Sequence, residues 1–365
     1  EQGYRVTGID LAAGAVEAAA GRTPPGVDAR FRVGDAYATG EADASYDAVL
    51  CIQVLSYLPT PQRAIDEFYR ILRPGGRFVL GIGRGDTALF HLGRKPQPVD
   101  AFAERLAQVR AYLTGETVDR RGFPSRLHWL DRARQPAVEI DLAAAAPRVL
   151  ALGARLADRV TLAVGADPER VAWAADQART AVPAAVPAAV PANGADGTAT
   201  ARPVGVGPAL GAYVVVGCHP DRDVARDLVR GAAAAFLHFS AMPGSTGAGL
   251  AARDRQAFAD LGAAYDSRSH LRSGAAHSRA LGDDLIDRHA VVGPPDHCVE
   301  RLAELVKLGV GRFVVAGPTL DADRDAAKAA RQLLRREVLP AVRALPVGDD
   351  VTTADNGRAH AAPDR

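Results

Sequence analysis

Three short turns carry the residues best suited to hold an anion. The first is Gly83-Arg84-Gly85-Asp86. Glycines let successive backbone N–H groups converge on one acceptor, and an arginine fork can chelate a phosphate. The competing reading is a tight loop whose surface Arg84 pairs with Asp86. The second turn is Ala143-Ala144-Ala145-Ala146-Pro147-Arg148. Pro147 opens a helix there, with Arg148 beside it, and a helix N-terminus favours phosphate. The third is Val164-Gly165-Ala166-Asp167-Pro168, where Gly165 permits close approach ahead of another helix. Two acids follow strands nearer the start of the chain. Asp10 ends VTGID, a position from which an acid in a nucleotide-binding α/β unit accepts both ribose hydroxyls. Asp35 lies in Gly34-Asp35-Ala36. Both acids can equally be ordinary loop-end residues.

No catalytic residue follows from spacing. A general acid or base is not evident; His238, His270, His277 and His289 are candidates by position, in a helical stretch that could cap a barrel, and each can equally be hydrogen-bonded or exposed. Gly293–Cys298 reads as a turn and helix start, because no partner ligands sit at useful spacing, and no metal is expected. Cys51, Cys218 and Cys298 form no CxxC pair and read as buried thiols.

Strands and helices must alternate to present these turns. Eight runs read as strands: 5–9, 31–33, 47–52, 77–82, 138–143, 160–164, 212–217 and 312–316. Helices are predicted at 12–20, 62–72, 99–113, 148–157, 168–180, 221–239, 251–265, 295–308 and 322–345. On 62–72 the apolar face is Ile65, Phe68, Ile71 and Leu72, and Pro74-Gly75-Gly76 reads as its stop. Alternation of this kind builds a mostly parallel sheet with crossover helices, and eight strands suit a (β/α)₈ barrel. AVPAAVPAAVPA marks 181–208 as a low-complexity insertion, expected to be extended or disordered. The tail 346–365 has no core pattern and is expected to be disordered.

Composition narrows the partners. Apolar residues make up 48% of the 365, enough for a sizeable core, and the formal net charge is +1. No basic field draws nucleic acid. No run reaches the roughly 18–20 apolar residues of a membrane span. The chain opens on Glu1, so a missing signal peptide says little; a cytoplasmic location is expected, and a homodimer is left open.

The stretch SYDAVLCIQVLSYLPTPQRAIDEFYRILRPGGRFVL resembles class I SAM-dependent methyltransferases at Asp47, Leu58, Ala64, Glu67, Arg70, Leu72 and Pro74-Gly75-Gly76. The resemblance covers residues 1–80 and implies a partial Rossmann-like segment. In it Asp10 would bind the ribose of SAM and Asp35 the adenine amino group. The family's Gly-rich turn and last two strands do not occur in this sequence. SAM is therefore not expected as a cofactor, and the two acids read as vestigial.

From residue 81 the text is similar to a different family. GIGRGDTAL resembles the turn of luciferase-like monooxygenases of the deazaflavin, coenzyme F420, class. The likeness continues through VGADPERVAWA, HFSAMPGSTGAG and DRHAVVGPPDHCVERLAELVKLGVGRFVV to REVLPAVR. It implies a TIM-barrel-like part over 81–345, with Arg84 on the cofactor phosphate. That family usually has a hydroxyl residue and a glycine where this chain has Ala145 and Ala146, which removes a donor. The implied activity is hydride transfer between coenzyme F420, or FMN as alternative, and a small organic substrate. SAM-dependent methylation of a small molecule and an inactive fusion remnant are the competing readings. The strand 77–82 fits both patterns. Three strands before it and four after would close a hybrid eight-stranded barrel if 5–9 paired with 312–316.

Overall fold

Short β-branched runs become parallel strands in the computed structural model, which describes residues 5–23, 28–49, 51, 59–85, 89–90, 93–127, 138–180, 207–242 and 247–346. Residues 181–206 of the expected insertion, the tail from 347, and Asp86 lie outside the described residues. Contacts divide the chain into two units: Glu1–Gly81 with Ala111–Glu139, and Ile82–Arg110 with Ile140–Arg365. Among the described residues no helix is long and apolar enough to cross a membrane.

In the first unit β1 (Val6–Asp10), α1 (Ala13–Arg22) and β2 (Ala29–Val33) form a parallel β-α-β step, with Val6 opposite Ala29 and Asp10 opposite Val33. A two-stranded ribbon covers little, and Val6 and Val33 stay exposed. β3 (Tyr46–Val49), α2 (Pro61–Ile71) and β4 (Leu72–Ile82) make the next step. α2 buries Ala64, Phe68 and Ile71, one face at helical spacing. Leu72 already belongs to the strand. The Pro-Gly-Gly predicted to end the helix instead lies inside β4, where β3 advances from Tyr46 to Ala48 while β4 advances from Leu72 to Arg77. Proline and glycine are tolerated at such an irregularity because the ladder is already interrupted there. Glu67 ties α2 to the preceding loop: it accepts from Arg70 Nε at 2.8 Å and from the Thr39 amide at 2.7 Å. The Arg70 hydrogen bond holds its carboxyl at about 2, against opposing burial. β5 (Val118–Asp119) and β6 (Pro124–Ser125) are a short antiparallel pair.

The second unit runs α3 (Val99–Leu113), β7 (Glu139–Ala144), α4 (Pro147–Leu156), β8 (Arg159–Leu162), α5 (Pro168–Thr180), β9 (Ala209–Cys218) and α6 (Arg222–Ala241). There follow α7 (Arg255–Ala264), α8 (Ala276–Arg279), α9 (Asp283–His289), β10 (Val291–Gly293), α10 (Pro295–Lys307), β11 (Val310–Ala316), α11 (Arg324–Leu333) and α12 (Leu339–Arg343). β7, β8, β9 and β11 pair in parallel in that order, and β10 pairs with the C-terminal end of β9. Leu142, Val160, Leu210 and Ala212 are buried on one face. A Cβ at Gly153 of α4 would lie 2.6 Å from Val160, so only glycine lets α4 press this closely on that face. α6 packs on the opposite face, where a Cβ on Gly217 would meet the Ala225 carbonyl at 2.4 Å.

Three expectations change. The pairing of the first strand with the last, which a closed hybrid barrel requires, is replaced: Val6 faces Ala29, and Val314 faces Tyr213. Among the described residues β1 pairs with β2 in a sheet of two strands, while β11 pairs with β9 beside the three-residue β10, which covers only Val216–Cys218. β10 was not foreseen as a strand. The predicted helix 322–345 is three pieces, with a π-helical turn at Leu334–Val338 before Pro340. Proline cannot donate to the residue four earlier and would crowd its carbonyl, so the helix widens ahead of it.

Candidate functional site

The first two turns come together. Gly83 directly follows β4 and is exposed; a Cβ built on it would lie 3.8 Å from the Ala143 Cβ and 4.0 Å from the Ala143 carbonyl oxygen. The turn therefore sits beside the C-terminal end of β7. Arg84 is half-buried, and Gly85 takes φ +78°. The pairing of Arg84 with Asp86 lies outside the described residues.

Ala145 leads into Ala146, the N-cap of α4. Ala146 has an extended backbone (φ −102°, ψ 148°) and no side-chain cap, so alanine replaces glycine there without left-handed strain. The amides of Val149 and Leu150 both close onto the Ala146 carbonyl, and Pro147 has no N–H. The Arg148 amide is left as a first-turn donor that an external oxyanion can use. The guanidinium of Arg148, a cofactor-binding candidate, pairs with Asp100 of α3 at 2.6 Å on an exposed surface. The partner lies 48 residues earlier, beyond the reach of local pattern reading.

The third turn departs from expectation. Val164 and Ala166 are buried, and Gly165 takes φ +86°. The Ala166 amide donates to the His289 carbonyl at 2.8 Å, and a Cβ on Gly165 would meet the same carbonyl at 3.0 Å. The turn thus spends its Ala166 donor inside the protein.

It leads instead to a buried charge cluster that the sequence did not reveal. Asp167, Arg170, Asp254 and His289 are all buried. Asp254 accepts from Arg288 at 2.5 Å and meets His289 Nε2 at 3.2 Å. Burial pushes the Asp254 carboxyl up, but the hydrogen bonds from Arg288 and His289 outweigh it and hold it below the usual range. Burial pushes His289 down, keeping it neutral. Arg170 lies over Phe258 at 5.4 Å and Trp173 at 5.7 Å and donates to the Ala248 carbonyl at 3.1 Å. Its Nε and Nη2 have no partner, and burial lowers its guanidinium to about 10 against the pull of Asp167 and Asp254. Asp167, Asp254 and His289 offer ligand atoms within 4.8 Å of one another. Arg288 and Arg170 already balance the two carboxylates, which disfavours a further dication. Outside the cluster a cleft of about 400 Å³ opens between Asp167–Glu169 and the side chains of Arg222, Arg253, Arg288 and Arg301.

The remaining candidates stay local. Asp10 accepts from the Ala12 amide at 2.8 Å and Asp35 from the Tyr37 amide at 2.9 Å, as loop-end acids do. His238 stacks on Tyr265 at 3.7 Å, Tyr265 hydrogen-bonds His270, and His277 Nδ1 accepts from the Asp266 amide at 3.3 Å. Burial, with help from His270 and His277, lowers His238 to about 4. The Cys218 and Cys298 thiols are buried, and Cys298 donates to the Gly293 carbonyl at 3.4 Å; Cys51 is half-buried.

Residues 74–312 match the family described as luciferase-like monooxygenase, and residues 1–80 match the methyltransferase domain family. The two matches overlap at 74–80, within β4. The 5,10-methylenetetrahydromethanopterin reductase of Archaeoglobus fulgidus is 26% identical over 74% of this chain and 75% of its own length. The 2-methyl-6-phytyl-1,4-hydroquinone methyltransferase of Synechocystis is 35% identical over 22% of this chain. The chain spans only 25% of that methyltransferase. In fold, the chain is similar to the coenzyme F420-dependent tetrahydromethanopterin reductase from Methanopyrus kandleri. The TM-score is 0.50 at 17% identity, with 93% of this chain and 91% of that one covered.

Proposed function

Because the chain belongs to the luciferase-like monooxygenase family, we propose that it is an oxidoreductase that moves a hydride between coenzyme F420, or FMN in its place, and a small organic substrate. The observation that carries this is the meeting of Gly83 with Ala143 beside an uncapped helix N-terminus. The residues present fit a phosphate: Arg84 supplies a charge, the Gly83–Gly85 backbone supplies close approach, and the Arg148 amide supplies a donor. Val164, Gly165 and Ala166 shape the neighbouring loop, with the Ala166 amide already spent on the His289 carbonyl. The bound ring system would supply the hydride chemistry; the protein's part is to hold and orient it. The reductase relatives lend support, since two of them are 26% and 27% identical over 74% and 67% of this chain.

The test is titration of the purified protein with coenzyme F420 and with FMN, followed by absorbance. One of the two is expected to bind. Arg84→Ala should weaken that binding by about 1.5–3 kcal/mol, the loss of a charged hydrogen bond, which is roughly tenfold to a hundredfold. Binding of neither cofactor rejects the reading in favour of an inactive fusion remnant. The match over residues 1–80 favours a second reading, SAM-dependent methyl transfer. We expect no SAM binding, because Asp10 and Asp35 are engaged in their own turns; calorimetric uptake of SAM would reverse that order.

A further inference from the structure

The cleft outside the buried charge cluster is lined mainly by charged side chains. Four guanidiniums line it, those of Arg222, Arg253, Arg288 and Arg301, against the three carboxylates of Asp167, Glu169 and Asp287. The carboxylates are largely committed elsewhere. Asp287 accepts two bonds from Arg226, at 2.8 and 2.6 Å. Asp167 accepts from the Arg170 amide at 2.9 Å, and Glu169 is exposed.

Two of the cations are less committed. Arg253 comes no nearer than 3.7 Å to a carboxylate, which is beyond hydrogen-bond reach, and Arg222 meets Asp287 at 3.4 Å. Arg288 is ion-paired with Asp254 at 2.5 Å, and its Nε is buried. Arg301 is fixed in place by the carbonyls of Ala166 and Arg288 at 3.0 and 2.8 Å. Arg301 is also paired with Glu304 at 2.9 Å, so it forms the wall, while the forks of Arg222 and Arg253 stay uncommitted and match the planar, bidentate demands of a phosphate. A volume of about 400 Å³ admits a small organic ligand rather than an ion alone.

We infer that this cleft binds a phosphate monoester. Resting on the redox reading above, that group is the anionic end of the substrate, because the cleft begins at Asp167, where the Val164–Ala166 turn ends. A dianion is favoured over a monocarboxylate because two uncommitted forks, those of Arg222 and Arg253, line the same cleft.

The experiment uses inorganic phosphate as probe, with acetate as the monoanionic control, titrated calorimetrically into the wild-type chain and the double variant Arg222→Gln, Arg253→Gln. Both arginines are about half exposed, at 48% and 52%, so the substitutions should leave the fold intact, as an unchanged melting temperature would show. Phosphate should bind the wild type in a salt-dependent manner, at least tenfold more weakly in the double variant, and more tightly than acetate. Equal phosphate affinity in the two proteins, no phosphate binding at all, or equal binding of acetate would each overturn the inference. Cofactor titration of the double variant separates the two proposals. Arginine-dependent phosphate binding in a chain that takes neither coenzyme F420 nor FMN sinks the redox reading and keeps the cleft. Cofactor uptake with phosphate indifferent to these arginines does the reverse.

Discussion

Replacing Asp254 with Asn removes the one charge that both Arg288 and His289 face. The Asp254 side chain is 1% exposed, Arg288 stands 2.5 Å from it and His289 3.2 Å. Breaking a buried ion pair from one side costs about 3–5 kcal/mol, because the other charge is stranded. Arg288 keeps some contact with solvent, and the Asn carbonyl can still accept a neutral hydrogen bond worth about 1 kcal/mol. The net cost should be about 2 kcal/mol, a large share of the roughly 5–15 kcal/mol that stabilises a domain. Hydrogen exchange at Val291–Gly293 reads this locally, since β10 follows His289 directly. Opening there should become roughly 30-fold more frequent for a 2 kcal/mol loss. A double-mutant cycle with Arg288→Gln should return a coupling of about 1–2 kcal/mol. Exchange accelerated less than about threefold, or additivity within about 0.5 kcal/mol, would refute the claim that the pair is a buried, mutually dependent unit.

Three further outcomes follow from the same geometry. His238 is held at about 4 in the fold, below its unfolded value near 6.5, so its contribution is present above about pH 6.5 and is lost as pH falls towards 4. After discounting for solvent this is about 1–2 kcal/mol, and His238→Phe should flatten that part of a stability-against-pH curve. Gly217→Ala places a Cβ 2.4 Å from the Ala225 carbonyl and should destabilise by about 2 kcal/mol, read as a lower urea midpoint. Gly83→Ala meets only Ala143 at 3.8 Å and should leave the melting temperature unchanged while weakening cofactor binding. Gly85→Ala, at φ +78°, should cost about 1 kcal/mol of stability through backbone strain.

What the sequence revealed follows the range over which its signals act. Val99–Leu113 and Pro168–Thr180 fold over the bounds their apolar spacing and flanking residues define, because helix formation is decided within a turn or two. β10 escaped because Val291–Gly293 is shorter than any period that could mark it. Pro74-Gly75-Gly76 misled because the same residues that end a helix also fit an interrupted strand. The Gly83–Ala143 approach followed from both turns trailing strands, whereas the buried cluster did not. Arg288 reaches Asp254 across 34 residues, and His289 reaches it across 35. Neither acid nor base lies in a pattern that announces a partner. The cleft was invisible for the same reason, since its arginines come from α6, α10 and the segments around 253 and 288.

One strand can serve two family patterns because a parallel ladder asks little of side-chain identity. β3 regains its register with β4 just after the Pro-Gly-Gly, with Ala48 opposite Arg77 and Val49 opposite Phe78. The bonds that hold this pair are backbone bonds, so they are indifferent to which family supplied the residues. What must be specific begins only at Gly83, where the chain leaves the strand and comes within reach of Ala143. The two family matches overlap at 74–80 and therefore meet on the part of the chain least sensitive to sequence. The turn proposed to hold the phosphate follows immediately, wholly within the second pattern. A phosphate site at Gly83–Gly85 thus depends on β4 and β7 being strands, and on Ala146 leaving α4 uncapped, but not on the origin of the residues before 77. That dependence is why the Gly83 and Arg84 variants, rather than any change in the first eighty residues, bear directly on the proposed redox site.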